Sequence, residues 1–173
     1  MIELLRKRRS IRKFTDEKIS PETIALLSEA ALRSPSSKGS NPWVFILVDD
    51  PLLLEKLSAV KQSGSGFLKN APLAVVVCAD SSSSDVWIED SSIAAIIIQL
   101  EAESLGLGSC WIQIRNRSHD DGKTAEAHIQ ELLGMPEHLK ITSIVAIGHP
   151  VELKPPVPAE KLLHERIKYN RWG

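Results

Sequence analysis

The stretch Ile88-Glu89-Asp90-Ser91-Ser92-Ile93-Ala94-Ala95-Ile96-Ile97-Ile98-Gln99-Leu100-Glu101-Ala102-Glu103-Ser104-Leu105-Gly106-Leu107-Gly108-Ser109-Cys110-Trp111-Ile112-Gln113-Ile114 decides how this chain is built. From Ile88 to Leu105 it reads as the longest helix, with Ile93, Ile96, Ile97 and Leu100 on one side and Ala94, Ala95, Ile98, Ala102 and Leu105 filling others. A helix that is apolar nearly all round has no solvent face, so it is either the centre of the fold or half of a subunit interface. Gly106 and Gly108 end it, and Ser109 to Ile114 follows as an apolar run of strand length. The order is helix, glycine turn, strand. A dinucleotide-binding turn needs the reverse order, so Gly106-Leu107-Gly108 is read first as a helix cap.

Working outward, Val44 to Val48 and Leu73 to Ala79 are continuous apolar runs of the kind that mark interior strands buried on both faces, and Ser143 to Ile147 is a fourth strand. Between them lie helical patterns. One short helix runs from Ile2 to about Arg8, with Ile2 and Leu5 on one face. A second opens at Ser20-Pro21-Glu22, an N-cap, a first-turn proline and an early acid, and runs to about Arg33. Others span Pro51 to about Val60 and Lys123 to Leu133, the latter closed by Gly134 and Pro136. Ser81 to Ser84 reads as low-complexity and mobile. Gln62-Ser63-Gly64-Ser65-Gly66 mimics a nucleotide fingerprint, but no strand precedes it, so it is read as a loop. From Val151 the prolines 155, 156 and 158 favour an extended tail, and the terminal Tyr169 and Trp172 suggest that it docks on something.

At 173 residues, 43% hydrophobic and 25% charged, the chain fits one ordinary globular domain with a full core. The N-terminus lacks the apolar core of a signal peptide and no run is long enough to span a bilayer, which leads us to expect a cytoplasmic protein. Cys78 and Cys110 each sit in an apolar strand run, as expected of buried free thiols. A net charge of −1 argues against general nucleic-acid binding.

That near-neutral balance hides an asymmetry. Six of the eight residues in Arg6-Lys7-Arg8-Arg9-Ser10-Ile11-Arg12-Lys13 are basic, leaving the rest of the chain with 15 basic against 22 acidic residues. Arginine forks grip phosphate oxygens in pairs and a serine adds a hydroxyl donor, so Arg8-Arg9-Ser10-x-Arg12 is a candidate phosphate site. A targeting or nucleic-acid patch, or a solvated helix end, gives the same composition. The loop Ser34-Pro35-Ser36-Ser37-Lys38-Gly39-Ser40-Asn41-Pro42-Trp43 is rich in small donors that could approach a ligand, or it is a plain helix-to-strand connection. The histidines 119, 128, 138, 149 and 164 show no metal-ligand spacing with one another or with the cysteines, so no metal site is expected. No nucleophile elbow or Walker loop is present. A phosphate site without hydrolytic machinery suggests a handle on a cofactor that does the chemistry itself.

Four ordered motifs carry a family likeness: Arg8-Arg9-Ser10-Ile11-Arg12, the loop from Ser34 to Trp43, Gly106-Leu107-Gly108-Ser109-Cys110-Trp111 after a long apolar helix, and Ala146-Ile147-Gly148-His149-Pro150. In this order they resemble the FMN-dependent nitroreductase family, in its short-chain branch, over essentially the whole chain. The resemblance implies an α+β sandwich around a mixed, largely antiparallel sheet flanked by helices, in an intertwined homodimer whose residues 151–173 wrap the partner. It also implies noncovalent FMN and an NAD(P)H-dependent, ping-pong oxidoreductase acting on a nitroaromatic, quinone or enone; reductive dehalogenation and a flavin-binding protein without turnover are the alternatives. By similarity Arg8, Arg9 and Ser10 take the phosphate and ribityl end, and Arg12 faces the pyrimidine edge. Pro35, Ser36, Ser37, Gly39 and Asn41 match the loop that reaches the flavin from the other subunit, with Gly39 where the family commonly has Asn. Ser109, Cys110, Trp111 and Ile112 match the run whose backbone lies against the flavin ring, and Gly148 and Lys154 a further basic contact to the phosphate.

Overall fold

A computed structural model describes residues 1–172; Gly173, the last residue of the expected tail, lies outside them. Five helices and four strands follow one another as α1 (Ile2–Lys7), α2 (Pro21–Leu32), β1 (Trp43–Val48), α3 (Pro51–Ser58), β2 (Leu73–Asp80), α4 (Trp87–Ser104), β3 (Gly108–Gln113), α5 (Ala125–Leu133) and β4 (Leu139–Gly148). The helix starts are chemically set. Ser20 accepts from the amide of Thr23 ahead of Pro21, Asp50 accepts from Leu52 and Leu53 ahead of Pro51, and Thr124 accepts from Ala127. Gly134 closes α5 in the left-handed conformation, where a side chain would be strained.

The strands form one sheet in the order β1-β2-β4-β3, and every strand pairing is antiparallel. The parallel component of the expected mixed sheet is confined, among the described residues, to a bridge between Ser10 and Ser109 on the outer edge of β3. Strand alternation sorts side chains onto two faces. Val76, Cys78, Ile112 and Ile144 pack with α3 and α5, while Val75, Val77, Val145 and Ile147 pack with α2 and α4. The result is the α+β sandwich, with helices on both faces of the sheet.

Three expectations need correction. β1 is an edge strand, paired only with β2, and Val44 and Leu47 are exposed rather than buried. A continuous apolar run reports a strand with apolar faces and carries no information on strand order, so an edge strand awaiting cover reads the same way. β4 begins at Leu139, ahead of the expected Ser143. The polar Lys140 and Thr142 disguise its first part; Thr142 Oγ1 donates to Val77 O at 3.0 Å beside a register shift between Val77 and Cys78. The serines expected to be mobile are tied to two carboxylates instead. Ser82 and Ser83 donate to Asp80, and Ser84 donates to Asp90.

α4 packs on the sheet through its smaller residues, Ala94, Ala95, Ile98 and Ala102, which allow the backbone to approach closely. Its isoleucine side faces out, with Ile93 41% and Ile96 37% exposed. The tail runs extended with two short 3-10 turns, and of its described residues from Val151 only Lys154 is half-buried. Tyr169 and Trp172 are each 88% exposed within the single chain. No helix among the described residues is long and apolar enough to cross a membrane.

Candidate functional site

After α1 the chain turns extended at Arg8 and runs along the free edge of β3. Ile11 donates its amide to Ser109 O at 2.9 Å and buries its side chain against Gly108, where a Cβ would lie 2.8 Å from Ile11. With Ile11 turned inward, its neighbours Ser10 and Arg12 are turned the other way. Lys154 Nζ donates to Ser10 O at 2.9 Å, and Arg9 donates to the Pro155 carbonyl, so the start of the tail is fastened to the basic stretch. Cys110 lies beneath this group. Burial pushes its thiol up, against the pull of Arg12, the Ser10 hydroxyl, Lys154 and Arg8. The expected residues Arg8, Ser10, Arg12, Cys110 and Lys154 therefore form one basin at the corner of the sheet where β3 begins and β4 ends.

Three further residues belong to this basin that the sequence reading passed over. Lys61 is held below the usual lysine range by burial and by the charge of Arg117, with Cys110 opposing. Phe67 presents its ring 5.9 Å from the Arg12 guanidinium carbon. None stands in a motif. Lys61 and Phe67 flank a Gly-Ser loop and Arg117 follows β3, so only the fold brings them together.

Trp111 and Ile112 offer different groups. Ile112 is fully buried in the core between the sheet and α5, and its backbone lies in the ladder with β4, so it packs behind the site. Ser109 turns its carbonyl away from β4 toward Ile11, and by alternation Trp111 turns its backbone to the same open edge. The Trp111 indole donates to Gln113 Oε1 at 3.0 Å, and Gln113 in turn to Arg115 O at 2.8 Å. Gly148 acts through packing: a Cβ there would lie 2.6 Å from Pro72 and 2.8 Å from the Phe14 ring. Cys78 and Cys110 are both free and buried, and burial pushes Cys78 up to about 12.

The loop with Pro35, Ser36, Ser37, Gly39 and Asn41 is built with equal care but stands elsewhere. Ser36 Oγ accepts from the Asn41 amide at 2.8 Å and donates to Asn41 Oδ1 at 2.7 Å. Lys38, Gly39 and Asn41 all take positive φ, at 54°, 67° and 47°. The buried carboxylate of Asp90, a residue without any sequence signal for this role, accepts from the Ser37 amide at 2.9 Å. This loop enters β1 at Trp43, which aligns with Ala79 and, across β2, with Lys140; the basin lies at Gly108 and Gly148. Three strand spacings across and eight residues along put the two corners roughly 30 Å apart. Within one chain the loop and the basin do not meet.

A helix-flanked antiparallel sheet with a cation-lined edge, fed by a basic N-terminal strand and a tail lysine, defines an α+β sandwich with a candidate anion site at one corner. A family model described as the nitroreductase family matches residues 5–64 and 55–149, and this chain belongs to that family. A solved structure of an FMN-dependent nitroreductase from Clostridium difficile R20291 superposes with a TM-score of 0.97 at 47% identity, covering 99% of this chain and 100% of that one. A protein of Archaeoglobus fulgidus, provisionally named an NADH dehydrogenase/NAD(P)H nitroreductase, is 36% identical over 99% of this chain and 98% of its own length. The NADPH:FMN oxidoreductase of Vibrio harveyi, solved with NAD+, gives a TM-score of 0.84 at 26% identity over 99% of this chain and 77% of that one.

Proposed function

We propose that this chain is an FMN-dependent oxidoreductase, working as a homodimer, that takes electrons from NAD(P)H and passes them in ping-pong order to an electron-poor acceptor such as a nitroaromatic, quinone or enone. The observation that carries the reading is the basin. Arg8, Arg9, Arg12, Lys61, Arg117 and Lys154 gather at one sheet edge, and none has an acidic partner within ion-pair distance among the described residues. Like charges gathered at one edge repel one another, so such a group is stabilised by an anion with several oxygens. FMN, when bound, supplies the hydride and electron chemistry that no side chain here provides.

In this reading Arg8, Arg9, Ser10 and Lys154 hold the phosphate and ribityl end, and Arg12 serves the pyrimidine edge, where a cation favours developing negative charge. Lys61 adds a second cation on the same side. Ser109 and Trp111 offer backbone groups along the open edge of β3, with Cys110 and Ile112 between them bonded into the ladder with β4, while Gly148 keeps Phe14 and Pro72 packed under the phosphate end. Pro35, Ser36, Ser37, Gly39 and Asn41 come from the second copy. Support for that copy is the roughly 30 Å between the two corners, together with an apolar groove of about 330 Å³ lined by Leu27, Ala31, Leu32, Val44, Leu47 and Ile98. The reading treats residues 1–173 as one domain whose tail, 151–173, covers the partner, in a cytoplasmic setting where reduced nicotinamide is supplied.

The absorbance spectrum of the purified protein tests this directly. A yellow preparation, releasing FMN on heating and bleaching on anaerobic addition of NADH or NADPH, is the expected result. Colourless protein that takes up no FMN on reconstitution overturns the proposal.

A further inference from the structure

A second cluster forms where the loop after β3 meets α5. Spacing gave no sign of it, because its members are His119, Asp121 and His128, two histidines nine residues apart joined through a carboxylate. Asp121 lies on a tight turn: His119 donates its amide to Lys123 O at 2.9 Å, Gly122 takes φ +86°, and Ser118 bridges Thr124. α5 starts at Ala125, which places His128 one turn in, facing back over the loop. The two imidazole rings lie 3.9 Å apart, tilted by 40°. His119 Nδ1 is 3.1 Å from Asp121 Oδ1, and His128 Nε2 is 3.0 Å from both carboxylate oxygens. One nitrogen of each ring and one carboxylate oxygen all lie within 4.8 Å of one another.

Hydrogen bonding alone satisfies this arrangement poorly. His119 Nδ1 also receives the Asp121 backbone N–H at 3.3 Å, which requires a lone pair on that nitrogen. The same lone pair then faces the anionic Asp121 oxygen. A cation held between the rings and the carboxylate accepts electrons from all three and removes the conflict. The two nitrogen–oxygen spacings, 3.1 and 3.0 Å, fit as well, since ligands about 2.1 Å from a metal stand roughly 3.0 to 3.4 Å from one another in octahedral or tetrahedral geometry.

We propose that His119, Asp121 and His128 form a binding site for one divalent first-row transition cation, of which Zn²⁺ is the representative. Two imidazoles and one carboxylate are the donor set that selects such ions over Mg²⁺ and Ca²⁺, which take oxygen. Three protein ligands leave positions for water, and both histidines are only part-buried, so the site exchanges with solvent. Its role is to staple the 117–124 loop to α5. That loop also accepts from the Gln62 amide, through Ser118 O at 3.3 Å, and Gln62 follows Lys61, so the staple steadies the segment that brings Lys61 to the basin.

Untagged protein stripped with a chelator and then dialysed is titrated with ZnCl₂ near pH 7.5 against a chromophoric competitor. One equivalent is expected to bind per chain, with at least a tenfold loss of affinity, about 1.4 kcal/mol, in Asp121→Asn and in His119→Gln/His128→Gln. Far-UV circular dichroism of the variants should be unchanged, which separates lost Zn²⁺ binding from lost folding. Wild type that does not compete for Zn²⁺, or variants that bind it as well as wild type, overturns the proposal. A measurement free of variants repeats the decision on wild type: stoichiometric Co²⁺ should shift the ring resonances of His119 and His128 strongly, and shifts confined to His138, His149 or His164 overturn it.

Discussion

Replacing Gly108 by alanine tests whether the strand that carries the basic motif is held in place by close packing. A Cβ at this position would lie 2.8 Å from both Cβ and Cγ2 of Ile11 and 2.9 Å from Cγ1. Ordinary carbon contacts are about 3.5 to 4.0 Å, so the deficit is close to 1 Å. A rotamer change cannot relieve it, because the Ile11 Cβ is itself in the clash and moves only with the backbone. The cost therefore belongs at the top of the overpacking range, about 3 kcal/mol. For a domain of this size that lowers Tm by roughly 6 to 12 °C at fixed protein concentration. Since Ile11 lies between Ser10 and Arg12, the same displacement moves both, and FMN affinity should fall by about tenfold, or 1.4 kcal/mol. Thermal melts and FMN titrations of the refolded apoprotein measure the two effects together. Gly106→Ala is the control: it has open space at the Cβ but φ +75°, so it should lose only about 1 kcal/mol and leave FMN affinity alone. Equal melting and equal FMN binding in Gly108→Ala and wild type would refute the packing argument.

Arg8→Ala combined with Arg12→Ala should release the flavin from a folded chain, since charge-assisted bonds to a phosphate contribute about 1.5 to 3 kcal/mol each and neither arginine is in the core. Unchanged flavin content after dialysis would show that the phosphate is held elsewhere. Truncation after Glu152 removes Lys154 with the rest of the tail and should lower dimer content and flavin occupancy in parallel through linkage, as read by sedimentation and absorbance on one sample. A truncated monomer with a full complement of FMN would mean that the site is built within one chain. Cys78, with its thiol pushed up to about 12 and no exposure, should resist thiol reagents at pH 8 in native protein and react only on unfolding. Labelling at the rate of a free thiol would contradict its place in the core.

What could be read from the sequence followed local chemistry. Ser20-Pro21 announced α2, the glycines after Leu105 ended α4 close to where they should, and the basic stretch with Lys154 proved to converge. What escaped depends on long-range pairing. The edge position of β1 follows from strand order, which its apolar run does not encode. Asp90, inside the very stretch that defined the long helix, looked like an ordinary first-turn acid; its hold on Ser37 spans 53 residues. Lys61 and Arg117 are single cations in loops, and the pairing of His119 with His128 runs through an aspartate that no spacing rule ties to either. Even α4 was legible only in outline. Its all-round apolar pattern left open the centre of the fold or a subunit interface, whereas the structure lays Ala94, Ala95, Ile98 and Ala102 against the sheet, where close packing favours small residues.

The distance between the serine loop and the cation basin has a genetic consequence under the shared-site reading. One allele with a ruined basin and another with a ruined loop would each be null alone, because every dimer would lack the same half of both sites. Co-expressed, the two products would assemble into mixed dimers in which one site collects both lesions and the other collects none. Two defective copies of this gene should then complement each other, whereas two alleles damaged at the same corner should not.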